Sequence, residues 1–255
     1  MKIHKHLLIT SLVATLTAHA QTPDAAPAAQ EPAPAAATPT SEPLIPLSGW
    51  SIIHDKTKTY GPKEENGSLT FSGPGYGDKG KNGAGYFTKT ELTDGSSLEF
   101  TARVTFSGVS GMGNFRFGLF QKKSRDHTRG WLGYCAYAGI DKKFPKGGLF
   151  ASEASNDTGF DAATSRVLGE SLVPFKNIKD GNYDLNIKLT RAGASIEVQA
   201  SLVPEADPAT PAVRYAGTDS SPASFTFDAF GFSTHELLSA DSIQFSKISL
   251  KFLKK

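Results

Sequence analysis

Cysteine is almost absent: the 255-residue chain holds one, Cys135. A single thiol closes no intramolecular disulfide, and a cysteine inside an aromatic, strand-like run far from the N-terminus is no lipoprotein anchor, so Cys135 reads as a small buried hydrophobe. Neither charge sign dominates, with 27 Lys and Arg against 25 Asp and Glu. No apolar run reaches the roughly 18 residues of a membrane-spanning helix, although the N-terminus goes part of the way. Helix signals are scarce; one capping box, Ser233-Thr234-His235-Glu236 before Leu237 and Leu238, predicts a turn or two. What is present is apolar and aromatic, 38% hydrophobic residues with 17 Phe, enough for one domain with a sizeable core and too much for a disordered chain.

The N-terminus combines Lys2 and Lys5, an apolar stretch over 7–18 and the triplet Ala18-His19-Ala20. This order predicts a secretory signal peptide over 1–20, cleaved before Gln21, and a location in a bacterial periplasm or the medium beyond. Cleavage removes two lysines and no acid, leaving 25 basic against 25 acidic residues. A neutral chain without a Lys/Arg cluster lacks the electrostatic footprint that nucleic acid or anionic lipid requires. Residues 21–46 hold seven Pro and eight Ala among 26 positions and no aromatic ring. They predict a polyproline-rich, disordered spacer, leaving 47–255 as the domain.

Period-2 alternation governs that domain. Over 98–106 every even residue is apolar and every odd one polar, the mark of a half-buried strand. Residues 183–190 repeat the pattern on odd positions, Arg191-Ala192-Gly193 reads as a turn, and 194–202 continues on even positions, which together predict a long hairpin. Further strands are predicted over 50–54, 68–72, 85–88, 115–120, 130–137, 148–151, 214–217, 225–232 and 242–252. In the last, Ile243 and Phe245 share one parity while Ile248, Leu250 and Phe252 share the other, so a β-bulge near Ser246-Lys247 is required. About a dozen strands over this length predict an all-β, two-sheet antiparallel jelly-roll sandwich; an immunoglobulin sandwich would need about half the residues.

The run Tyr183-x-Leu-x-Ile-x-Leu-x-Arg191, the segment Phe225-Thr226-Phe227-Asp228-Ala229-Phe230-Gly231-Phe232 and then Asp241-Ser242-Ile243-Gln244-Phe245 resemble the final strands of concanavalin A-like, LamG-type jelly rolls of secreted bacterial proteins. Phe115-Arg116-Phe117-Gly118-Leu119-Phe120 and Gly130-Trp131-Leu132-Gly133-Tyr134 are similar to that group's inner-sheet strands. The resemblance covers about 47–255 and implies a concave sheet on which an extended glycan is bound or cleaved. The group's glycosidase signature, Glu-x-Asp-x-x-Glu on one strand, does not occur here, which argues against hydrolysis by that route. His54, His127 and His235 are isolated and no calcium-type Asp/Asn ladder occurs, so neither a metal nor another cofactor is expected.

Gly75 to Asn82 imitates a phosphate-binding loop but carries Asn82 where Ser or Thr would hold magnesium, so 73–85 reads as a glycine-rich loop with Tyr76 beside an adjoining cleft. In 125–137, Trp131, Cys135 and Tyr137 share one parity and Leu132, Tyr134 and Ala136 the other. Sugar rings stack on Trp and Tyr while their hydroxyls bond Arg, Asn and Asp. Arg116, opposite in parity to Phe115 and Phe117, is expected on the exposed face of a neighbouring strand. The candidate ligand-binding residues are therefore Arg116, His127, Trp131, Tyr134 and Tyr76, and the expected function is a monomeric, non-catalytic glycan-binding or surface-associated module. A polysaccharide lyase using an Arg with a His or Tyr base, drawn from Arg116, His127, Tyr134 and Tyr137, and a structural envelope protein are the alternatives.

Overall fold

A computed structural model describes residues 45–51, 62–72, 80–123, 130–139, 144, 147–153, 165–174 and 176–254. Residues 1–44, where a signal peptide and most of a spacer are expected, lie outside the described residues, as do Tyr76 and His127.

Fourteen strands form two seven-stranded antiparallel sheets, and none of the described residues is helical. Sheet I has the spatial order β1 (Ser48–Ser51), β4 (Asn82–Glu91), β13 (Thr226–Glu236), β6 (Gly113–Lys122), β7 (Trp131–Gly139), β8 (Gly148–Ser152), β9 (Arg166–Gly169). Sheet II has the order β12 (Val213–Asp219), β11 (Ser195–Pro204), β10 (Gly181–Ala192), β5 (Ser97–Ser107), β14 (Ser242–Leu253), β3 (Ser68–Phe71), β2 (Lys63–Glu65). Non-consecutive neighbours such as β4-β13-β6 and β5-β14-β3 make this a jelly roll and not a meander.

The alternation read from the sequence becomes the inter-sheet core. Leu98, Phe100, Val104 and Phe106 of β5, Leu185, Ile187 and Leu189 of β10 and Ile196, Val198 and Leu202 of β11 are all buried against sheet I. Aromatic rings join the layers: Phe100 stacks on Phe230 at 3.7 Å between centroids, and Phe106 meets Phe115 edge to face at 5.0 Å. On β4 a Cβ at Gly85 would lie 2.5 Å from the Trp50 indole and one at Gly83 2.5 Å from the Phe71 ring, so these strand glycines exist to admit aromatic rings against bare backbone.

Each of the twelve predicted strands overlaps an observed one, 50–54 only at Trp50 and Ser51 because residues 52–54 lie outside the described residues, and the β14 bulge falls where parity required it. The register with β5 shifts between Ser246 and Ser249, and Lys247 takes a φ of 51°. Three readings need correction. The hairpin turn is Gly193-Ala194, since Ala192 pairs with Ser195 and Gly193 supplies the positive φ. Residues 82–85 of the supposed glycine loop belong to β4. The capping box is no helix: Ser233, Thr234 and His235 end β13 and pair with Arg116, Phe115 and Asn114, so ladder pairing overrides a four-residue local signal. β2 and β9 escaped prediction because three charged residues, and a four-residue edge segment, carry no alternation.

Candidate functional site

Sheet I differs from an ordinary sandwich layer because over β6, β7 and β8 both of its faces are buried. Phe115, Phe117 and Leu119 of β6 and Tyr134, Ala136 and Ala138 of β7 face sheet II. The opposite parity, Phe120 on β6 and Trp131, Cys135 and Tyr137 on β7, joins Phe150 and Ala229 in a second apolar cluster on the outer face. That cluster gives way to polar residues toward one end of the strands. The register aligns Asn82 of β4 with Ser233 of β13, Ser233 with Arg116 of β6, and Arg116 with Tyr137 of β7. Four strands thus present one row, Asn82–Ser233–Arg116–Tyr137, and His235 and Asn114 pair in the row beyond.

Arg116 organises this row. Its Nε donates to Asn114 Oδ1 at 2.6 Å, its Nη2 donates to His235 Nδ1 at 2.7 Å, and its guanidinium carbon lies 4.0 Å from the Tyr137 ring centroid. Accepting at Nδ1 makes His235 a neutral imidazole with its proton on Nε2. Asn82 is 2% exposed, and neither its Oδ1 nor its Nδ2 has a hydrogen-bond partner. A buried amide with both ends unmet costs about 1–3 kcal/mol per group, the mark of a position kept for something other than stability. Burial drives the Cys135 thiol up to about 12, so it remains protonated and unreactive beneath the row.

No family model matches the chain, and no curated protein matches its sequence. Solved structures do match. The carbohydrate recognition domain of Emp46p, metal-free form, superimposes over 74% of this chain and 84% of its own with a TM-score of 0.50 at 16% identity. The legume lectin-like domain from Entamoeba histolytica covers 76% of this chain and 88% of its own at a TM-score of 0.42 and 11% identity. The fold is a concanavalin A-like jelly roll.

Within this jelly roll the structure redistributes the residues chosen from sequence. Trp131 and Tyr134 are 0% and 2% exposed, so neither ring offers a stacking surface, and the aromatic platform is overturned. Parity had separated the two sets correctly, but Tyr134 faces sheet II and Trp131 lies in the outer cluster with Lys122 Nζ 4.9 Å from its ring centroid. Arg116 does stand on the face opposite Phe115 and Phe117 and beside β7, yet it is 3% exposed, not solvent-facing.

Tyr134 belongs elsewhere in the jelly roll, to an ionic knot at the β7–β12 edge. Its hydroxyl donates to Asp219 at 2.8 Å, and the same carboxylate accepts from Arg166 Nη2 at 2.6 Å and from the Ser221 amide at 2.8 Å. Arg166 Nε turns to Glu153 at 2.6 Å. Burial, then the Asp219 charge, holds the Tyr134 phenol far above the ordinary tyrosine range.

Sequence reasoning missed Asn82, Ser233, Asn114 and His235. Three of them sat inside local decoys, Asn82 in the loop-like glycine segment and Ser233 and His235 in the capping box, and the convergence of all four depends on β4, β13 and β6 becoming neighbours. Among the described residues no group of three His, Cys, Asp or Glu side chains converges as a metal site.

Proposed function

We propose that the domain is a non-catalytic, lectin-like module that binds a glycan at the polar end of the outer face of sheet I. It would act in a bacterial periplasm or outside the cell, delivered by the N-terminal signal and set off by the Ala/Pro spacer. The observation that carries this reading is the Asn82 amide, which holds an unused donor and an unused acceptor side by side, in register with Ser233 and a guanidinium fixed by Asn114 and His235. The row is buried, with Asn82, Arg116 and Ser233 at 2%, 3% and 4% exposure, so a glycan reaches it only as the side chains over it move aside. A sugar hydroxyl is donor and acceptor at once, so one carboxamide satisfies two neighbouring hydroxyls and is satisfied by them. Similarity of fold to a carbohydrate recognition domain supports the same class.

The test is a glycan array probed with wild type and Asn82→Ala. Retention of a glycan family by wild type, lost or weakened at least tenfold in the variant with its fold intact, is the expected result; retention of no glycan by wild type sinks the proposal. The convergence of Arg116, His235 and Tyr137 favours one second reading, lyase chemistry on a uronate, in which the Arg neutralises the carboxylate and the His or Tyr moves the proton. Unsaturated uronate absorbance on incubation with alginate or pectin would select it.

A further inference from the structure

The outer face of sheet II is polar and carries its own hollow. Register aligns Thr101 of β5, Asn186 of β10, Ser201 of β11 and Arg214 of β12 in a single row. Three short side chains therefore lead across the strands to one long cation. At that end lies a cavity of about 310 Å3 lined by Asn186, Gln199, Ser201, Arg214 and Leu172, at the small end of the range of ligand pockets. Leu172 runs beside the edge strand β12 on a backbone bond, its amide donating to the Arg214 carbonyl at 2.7 Å, and the residue is 62% exposed.

The groups lining the hollow are chemically unspent. Asn186 uses its Nδ2 on Glu99 at 2.6 Å, which fixes the amide and leaves Oδ1 to accept. Neither the Arg214 guanidinium nor the side chains of Gln199 and Ser201 bond to any described residue. The contrast on the same face is sharp: Arg103 is engaged by Glu205, which also accepts from Asn182 Nδ2 at 2.9 Å. An exposed guanidinium beside an amide, a hydroxyl and an aliphatic shelf matches one ligand chemistry. The fork takes a carboxylate in two parallel hydrogen bonds, the Gln, Ser and Asn groups take ring hydroxyls, and Leu172 covers the apolar C–H face.

We propose that this hollow is a second ligand site, for an acidic sugar residue, on the opposite sheet from the Asn82 row and independent of it. A uronate free in solution and one within a polymer share this chemistry, and chain length separates them in the test. The full chain, 15N-labelled, is titrated with galacturonic acid, trigalacturonate and neutral galactotriose while the backbone amides of Asn186, Gln199, Ser201 and Arg214 and the side-chain N–H groups of Asn186, Gln199 and Arg214 are followed. The expected result is that both uronates shift these four residues, that galactotriose binds at least tenfold more weakly, and that Arg214→Gln weakens uronate binding at least tenfold with an unchanged melting temperature. Arg214→Lys restores only part of the loss, because it returns the charge without the fork. Tighter binding of the trimer assigns the site to a polymer, and equal affinity to a single residue.

No shift at these positions with millimolar uronate overturns the proposal, as does an Arg214→Gln protein that binds like wild type. Asn82→Ala separates the two sites. Uronate shifts that survive it place the ligand on sheet II whatever the outcome for the glycan array, and shifts abolished by it overturn the second site.

Discussion

Tyr134 on β7 and Asp219 on β12 join the two sheets by a 2.8 Å hydrogen bond into a carboxylate that is 1% exposed. Arg166 reaches the same carboxylate from β9, so three strands at one edge depend on a single buried charge. Without Arg166 the buried Asp219 carboxylate keeps its Tyr134 and Ser221 donors but loses the cation that neutralises it, which costs more than the ion pair itself was worth. Arg166→Gln is therefore expected to cost about 1–3 kcal/mol. Glu153→Gln, which removes only the half-exposed outer pair, is expected to cost about 0–1 kcal/mol. Urea unfolding of the two variants checks the order; equal costs would show that Arg166 does not neutralise Asp219.

The pH dependence at alkaline pH follows from buried tyrosines, of which Tyr134 in this knot is one. The tyrosines 134, 215, 183 and 86 all have phenols raised above their ordinary value of 10.0, chiefly by burial. A raised folded-state value means that the native state keeps its protons while the unfolded chain gives them up. The associated stability is full below pH 10 and falls as pH rises above it. Unfolding free energy measured from pH 8 to pH 11.5, values chosen to bracket about 10, is expected to decline through the upper half, and Tyr134→Phe should flatten that decline.

Lys247 holds a φ of 51° at the bulge that returns β14 to the correct face. The left-handed conformation costs a residue with a Cβ about 1–2 kcal/mol, and a β-branched one more. Lys247→Gly should raise the melting temperature and Lys247→Val should lower it by several degrees in differential scanning calorimetry. Matching shifts of one sign would show that the bulge conformation is not what the position selects.

Asn82 should trade stability against binding. Replacing its unpartnered amide by an apolar group of similar volume removes two buried, unmet polar atoms. Asn82→Leu is accordingly expected to stabilise the fold by about 1–3 kcal/mol while losing glycan retention. A destabilised Asn82→Leu protein would show that the amide serves the fold.

Strand positions, their facing parity and even the bulge near Ser246 were legible in the sequence because period-2 alternation is a local signal, written residue by residue along the chain. Local patterning also misled: the capping box is sound chemistry for a helix start, yet β13 continues through it because ladder bonds to β6 outweigh a cap.

What the sequence by itself determined is that 98–106, 183–190 and 194–202 bury alternate side chains, that Arg116 faces away from Phe115, and that Trp131 and Tyr134 point to opposite sides. Only the tertiary structure decided that both sides of sheet I are covered at β6, β7 and β8, which removed the aromatic platform, and that Asn82, Ser233 and Arg116 share one row. The reason is geometric. Alternation tells one face of a strand from the other but carries no information about what lies against either face. Residues 82, 116 and 233 become neighbours only when strands distant in the chain pair in register.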